Sequence, residues 1–300
     1  MKILIILKNF NQRRGLPGGV GNANEEIAKE MEKLGHKVDF LSREDDMKIY
    51  SLWKSIFPIR KKVKELMNKN HYEVIFSQDW SFAFPLLFPK RIFKKNHICC
   101  FCGHQENWLI FLQNIVGKMM GEKLIVIGDD LKKRFPKATL IYRGVNFSKF
   151  KPLKRKRDCL CWTDKGDEYK MISEDELEKI AIENNLKLSI AKGIPSNKMN
   201  EFYNKCKVFI SVPPQAGYNN SWNESMAAGV PIVIGNNKGG GTMLPLNRIS
   251  KNEDNVKRIN EIIKNPKKIN YRKWLRDNGF AWENVAKKMI NFFEKEVITN

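Results

Sequence analysis

The chain has 300 residues, 42% hydrophobic and 29% charged, with 54 Lys and Arg against 33 Asp and Glu for a formal charge of +21. That balance excludes disordered, collagen-like and low-complexity classes and describes a folded protein large enough for two modest domains. Residues 1–150 hold 27 basic against 15 acidic side chains and residues 151–300 hold 27 against 18, so the excess belongs to the whole body, which attracts phosphate as nucleotide, nucleic acid or anionic lipid headgroup.

Residues 3–7 are an unbroken apolar run, the mark of a strand buried on both faces. A glycine loop, 13–21, leads into a helix whose Ala23, Ile27, Ala28, Met31 and Leu34 recur at helical spacing, and Gly35 stands where that helix ends. A strand opens at Val38, which completes one βαβ unit. The pattern continues with a basic helix over about 59–69, a strand at 73–77, a short helix at 82–88 containing Pro85, and a strand at 97–102. A helix near 107–119, a strand at 123–127, a helix at 129–134 and a strand at 138–142 complete a parallel α/β domain over 1–150.

The polar run 151–158 reads as a linker. Alternation then resumes with a strand at 159–163, a helix opening at Ser173 with Glu176 in capping-box position, a strand at 186–190 and a helix at 197–205. A strand at 207–212, a helix at 221–228 and a strand at 230–234 follow, giving a second α/β domain over 151–280. Residues 281–300 form a C-terminal helix, with Trp282, Phe292 and Phe293 among its packing anchors.

The six cysteines, at 99, 100, 102, 159, 161 and 206, lie in apolar strand-like runs and read as buried free thiols of a reducing compartment. Cys100, Cys102 and His104 share one strand face, but alternate residues of a strand diverge too far for tetrahedral ligation, so no metal is expected. The apolar start is too short for a signal peptide and no apolar run reaches about 18 residues, so a cytoplasmic protein is expected. The helix carrying Arg60 to Met67, with apolar Val63, Leu66 and Met67, suggests contact with an anionic membrane surface, and packing of those three residues inward is the alternative.

Several segments have the chemistry of a phosphate site. Gly18-Gly19-Val20-Gly21 lies between a strand and a helix, where glycine admits close approach and free amides attract an anion. His104 ends a parallel strand within a polar cluster. Gly217, Tyr218, Asn219, Asn220 and Ser221 form a polar loop before a helix that bears Glu224, and a second glycine turn holds Gly240. Amides in two such loops suit a diphosphate, and a carboxylate suits ribose hydroxyls.

Taken in order, these segments resemble the family-4 group of retaining glycosyltransferases, of the GT-B fold. Gly18-Gly19-Val20-Gly21 with Gly35-His36-Lys37-Val38 is similar to the family's opening, and Ser77-Gln78-Asp79-Trp80 to its His-Asp-Trp segment. Arg143-Gly144-Val145-Asn146 with Phe150 and Pro152 resembles its lead-in to the second domain. Glu224-Ser225-Met226-Ala227-Ala228-Gly229-Val230-Pro231 is similar to its most specific motif, and Phe280-Ala281-Trp282-Glu283 to its C-terminal one.

The resemblance implies two Rossmann-like parallel-sheet domains facing across a cleft, an acceptor side in 1–150, a nucleotide-sugar side in 151–280, and a last helix returning to the first domain. It implies transfer of a sugar from a nucleoside diphosphate sugar to a glycan or lipid-linked acceptor, with retention, no cofactor and no metal. Gly19 would approach the donor phosphate, His104 the donor sugar and Glu224 the ribose, with Gly217 and Tyr218 lining the sugar pocket. The sequence departs from the family at three places: Ala216 stands where a second Glu precedes Glu224, no Arg follows the strand at 159–163, so Lys165 or Lys170 would meet the diphosphate, and the second domain is shortened by about one strand–helix unit between Ile190 and Asn197. Two alternatives are a transferase acting on modified DNA bases, which the charge of the chain suits, and a silent nucleotide-sugar-binding protein.

Overall fold

The computed structural model describes residues 1–9, 19–103, 108–162, 172–211, 218–235, 244–249, 254–266 and 269–298, with only the backbone of Gly19, Val20 and Ile298. The described residues of Met1–Arg14, Val20–Arg143 and Trp282–Asn300 form one compact unit, and those of Gly144–Ala281 form another.

The first unit runs β1 (Lys2–Leu7), α1 (Gly19–Lys33), β2 (Lys37–Ser42), α2 (Leu52–Asn70), β3 (Val74–Gln78), α3 (Trp80–Leu87), β4 (His97–Phe101), α4 (Leu109–Met120), β5 (Leu124–Val126), α5 (Asp129–Arg134) and β6 (Thr139–Leu140). Its six strands are parallel in the order β2-β1-β3-β4-β5-β6. The central strands β3 and β4 are buried along their whole length, so even their polar members Ser77, Gln78 and His97 lie inside. Gly35 turns α1 into β2 with φ +87°, a conformation that favours glycine.

The second unit contains β7 (Cys159–Trp162), α6 (Glu174–Glu183), β8 (Lys187–Ile190), α7 (Met199–Lys205), β9 (Cys206–Ser211), α8 (Asn220–Ala227), β10 (Ile232–Gly235), β11 (Asn247–Ile249), α9 (Asn255–Lys264) and α10 (Tyr271–Asp277). Its five parallel strands are ordered β11-β10-β9-β7-β8. The core is built on Leu160, Trp162, Val208, Ile210 and Val233 from the strands and Leu177, Ile180, Ile259 and Ile263 from α6 and α9. The capping box at the start of α6 is complete, with Ser173 and Glu176 each satisfying the other's backbone amide. The chain then contributes α11 (Trp282–Phe293) to the first unit, where Phe293 packs on Phe76 of β3 with ring centroids 5.5 Å apart.

Three expectations need correction. The basic helix begins at Leu52 rather than near 59, because it passes through Pro58. Proline withholds one donor, from the carbonyl of Lys54, and that loss falls at an exposed position where it does not break the helix. Second, Val63 is buried and Leu66 and Met67 pack on the same core cluster, while the Arg60 guanidinium donates to the carbonyls of Pro85, Phe88 and Lys90. Those residues therefore hold the helix to its own domain and do not face a membrane. Third, Cys161 and Cys206 are a disulfide rather than free thiols. Their Cα atoms lie 5.4 Å apart, within bonding reach. Cys99, Cys100, Cys102 and Cys159 are free.

Candidate functional site

In an open parallel sheet, ligands bind beyond the carboxyl ends of the strands where the strand order reverses. In the second unit the reversal lies between β7 and β9, and the segments after both strands fall outside the described residues. These segments contain Lys165, Lys170 and Gly217. His104, Gly18 and Gly240 also lie outside the described residues. Gly19 is the first residue of α1.

What is described around Glu224 is an organised carboxylate. Glu224 sits on the second turn of α8, partly exposed, and its Oε2 accepts a hydrogen bond from Tyr203 Oη at 2.8 Å. Tyr203 on α7 is fully buried, so its own position is set by packing against Phe209, Phe202 and Phe150. Burial first, and then the neighbouring carboxylate, raise the Tyr203 pKa well above the ordinary tyrosine value, so the hydroxyl remains a donor.

The residues that lead directly into α8 are fixed from beneath. Tyr218 is buried, its ring stacks on Phe280 at 6.3 Å, and its hydroxyl donates to Asn223 Oδ1 at 2.5 Å. Trp222 is fully buried and its Nε1 donates to Ser211 Oγ at the end of β9. Asn219, Asn220 and Ser221 stay partly exposed at the helix start. At the other end, Arg157 donates to the carbonyls of Ala228 and Gly229, and Arg272 to that of Ala227. Two cations therefore complement the carbonyl end of α8.

The first unit holds a second polar cluster, at the ends of β3 and β4. Gln78 donates to Cys102 Sγ, and Arg143 stands close to the same sulfur. A hydrogen bond from Cys100, then the charge and hydrogen bond of Arg143, then the bond from Gln78, pull Cys102 down to about 6. Asp79 follows Gln78 with φ +89°, a strained backbone for a residue with a side chain. Its carboxylate caps α3 by accepting from the Trp80 amide, while burial and then the Cys102 charge push it up to about 8. Gln78, Cys100 and Arg143 line a small pocket together with polar Asn24 and Tyr142, walled by Ile27 of α1 and by Trp282 and Met289 of α11. The sequence placed Gln78 and Arg143 in family-like segments and Cys102 among core thiols; the ladder between β3 and β4 brings Gln78 to Cys102, and Arg143, beyond β6, reaches the same sulfur.

No family model matches the sequence, and no curated protein matches it. The fold is similar to solved structures along its whole length. A sucrose-phosphate synthase from Thermosynechococcus elongatus matches with a TM-score of 0.70 over 100% of both chains, at 13% identity. A glycosyltransferase from Rickettsia africae matches at 0.64 over 100% of this chain and 99% of that one, at 15% identity. The lipopolysaccharide outer core galactosyltransferase WaaB, in its apo form, matches at 0.64 over 98% and 99%, at 9% identity. At such identities the likeness is one of fold, and together with the two parallel sheets it establishes the α/β GT-B class expected from the sequence.

Proposed function

We propose that the chain transfers a sugar from a nucleoside diphosphate sugar to a hydroxyl of a glycan or lipid-linked acceptor, with retention and without a metal. The observation that carries this reading is the Glu224 carboxylate, partly exposed on α8 and held by the buried Tyr203 hydroxyl. A carboxylate fixed in that way suits the two hydroxyls of a ribose, and the amides at the start of α8 suit the diphosphate. The neighbours described as glycosyltransferases support the same reading.

In this mechanism the leaving diphosphate carries the developing charge, so donors must surround it before reaction. Gly18, Gly19 and Gly240 supply backbone amides, and Lys165 or Lys170 supplies a cation. His104 orients the donor sugar, with Gln215, Asn219 or Asn220 in place of the carboxylate that Ala216 lacks. Calorimetry and thermal shift with a panel of nucleoside diphosphate sugars test this reading, followed by turnover assays with those that bind. Stabilisation by at least one nucleotide sugar, abolished in Glu224→Ala, is the expected result. No stabilisation by any of them would sink it. Binding without hydrolysis or transfer would favour the silent binding protein, a reading that rests on Ala216.

A further inference from the structure

The corrected start of α2 adds about two turns that end at Pro58, and their side chains are unusual. Trp53 and Phe57 lie one turn apart on the same face and are 48% and 72% exposed. The stripe continues along the same face as Lys61 and Lys64, both exposed, while Ser55, Ile59 and Val63 are buried on the opposite face. Helix α4 repeats the arrangement. Trp108, just before its first residue, and Phe111 one turn later are 60% and 64% exposed. The two helices meet there, with the Trp53 and Trp108 rings stacked 5.6 Å apart and 10° from parallel.

Four large aromatic side chains are thus gathered on one outer face of a single unit. Exposed apolar groups are normal one at a time, but a contiguous aromatic set at the surface marks a partner. The charge next to it indicates which one. Helix α2 has six basic residues and one acidic residue, and α4 has no acidic residue at all. Tryptophan and its neighbours belong at the headgroup level of a bilayer, and lysines beside them are attracted to anionic lipid. No helix among the described residues is long and apolar enough to cross a membrane, so contact of this kind is peripheral.

We propose that the face formed by Trp53, Phe57, Trp108 and Phe111, with Lys61 and Lys64, docks on an anionic bilayer surface. The aromatic rings enter the headgroup layer and the lysines pair with lipid phosphates. This differs from the surface suggested by the sequence around Val63, Leu66 and Met67, which the core absorbs. It does not depend on the nucleotide reading, since all six residues belong to the first unit and Glu224 to the second.

The test uses the full chain with sedimenting vesicles of phosphatidylcholine alone and of phosphatidylcholine mixed with phosphatidylglycerol. Wild type should sediment with the anionic vesicles only, with a blue shift of tryptophan emission, and added salt should release it. Phe57→Ser with Phe111→Ser, and separately Lys61→Glu with Lys64→Glu, should each weaken binding at least about 10-fold. Both pairs are exposed, and unchanged melting temperatures would show that the variants fold. Wild type remaining in the supernatant with anionic vesicles would overturn the proposal, as would equal binding by both double variants. A dimer in sedimentation analysis that Phe57→Ser with Phe111→Ser abolishes, without lipid binding, would assign the face to a second copy. Retention on a neutral oligosaccharide without lipid binding would assign it to glycan. Either result overturns the bilayer.

Discussion

The Tyr203 hydroxyl donates to the Glu224 carboxylate at 2.8 Å, from a ring with no exposure to solvent. A buried aromatic residue on α7 therefore aims a partly exposed acid on α8. Glu224→Ala removes both the acceptor for Tyr203 and the proposed ribose contact. With a charge-assisted hydrogen bond worth about 1.5–3 kcal/mol, nucleotide affinity should fall about 10-fold or more. Tyr203→Phe keeps the ring packing and loses only the aiming bond, so it should weaken affinity less, by roughly 3- to 10-fold. Calorimetry on both variants checks the order, and a Tyr203→Phe variant weaker than Glu224→Ala would contradict it.

Asp79 predicts a pH signature. Its carboxyl is raised from 3.8 to about 8, so between those values the fold holds a proton that the unfolded chain has released. Wild-type stability is therefore eroded by this group as pH rises through that window. Cys102 acts in the other direction. Lowered from 9.0 to about 6, it adds stability as pH rises towards 9 and loses it as pH falls through 6. Asp79→Asn keeps an oxygen for the Trp80 amide and removes the carboxyl. Its melting temperature relative to wild type should climb from about pH 4 to pH 8 and then level. A difference that stays flat across those pH values would show that the Asp79 carboxyl ionises at its ordinary value.

The neighbouring thiol can be titrated directly. Among the free cysteines, Cys99, Cys100 and Cys159 are buried and Cys102 is partly exposed. Iodoacetamide should therefore modify Cys102 first, with a rate that rises to half its maximum near pH 6. Arg143→Met removes the cation beside the sulfur and should move that midpoint upward. Peptide mapping by mass spectrometry gives both rates. Preferential labelling of Cys159 would contradict the arrangement at the ends of β3 and β4.

The strands, the capping box at Ser173 and the turn at Gly35 could be read from the sequence because each is a local pattern. Burial on both faces makes β1 continuously apolar, and a cap needs only residues three apart. The relationships that were missed are between distant segments. Tyr203 and Glu224 are joined by the packing of α7 beside α8, Gln78 and Cys102 by the pairing of β3 with β4, and Cys161 and Cys206 by the pairing of β7 with β9. Pro58 hid the first turns of α2 for a different reason. Proline inside a helix costs roughly 3 kcal/mol, so a local reading ends the helix there. Packing of Ser55, Ile59 and Val63 on one face carries the helix through.

His104 and Ala216 decide whether the proposed site turns over. A group that orients the donor sugar acts on the reacting centre and not on the base or ribose. Removing one positioned donor from a transition state typically costs about 2.7–4 kcal/mol. His104→Ala should therefore lower turnover by about 100-fold or more while nucleotide affinity stays within about 3-fold of wild type. Ala216 has no group to accept hydrogen bonds from the sugar, so wild-type transfer needs Gln215, Asn219 or Asn220 to do so, or a sugar that needs no such contact. Single-turnover assays on wild type, His104→Ala and Ala216→Glu separate these cases. Equal rates for wild type and His104→Ala would remove His104 from the mechanism. Transfer that appears only in Ala216→Glu would show that one absent carboxylate silences an otherwise assembled site, and that the natural chain binds its nucleotide without spending it.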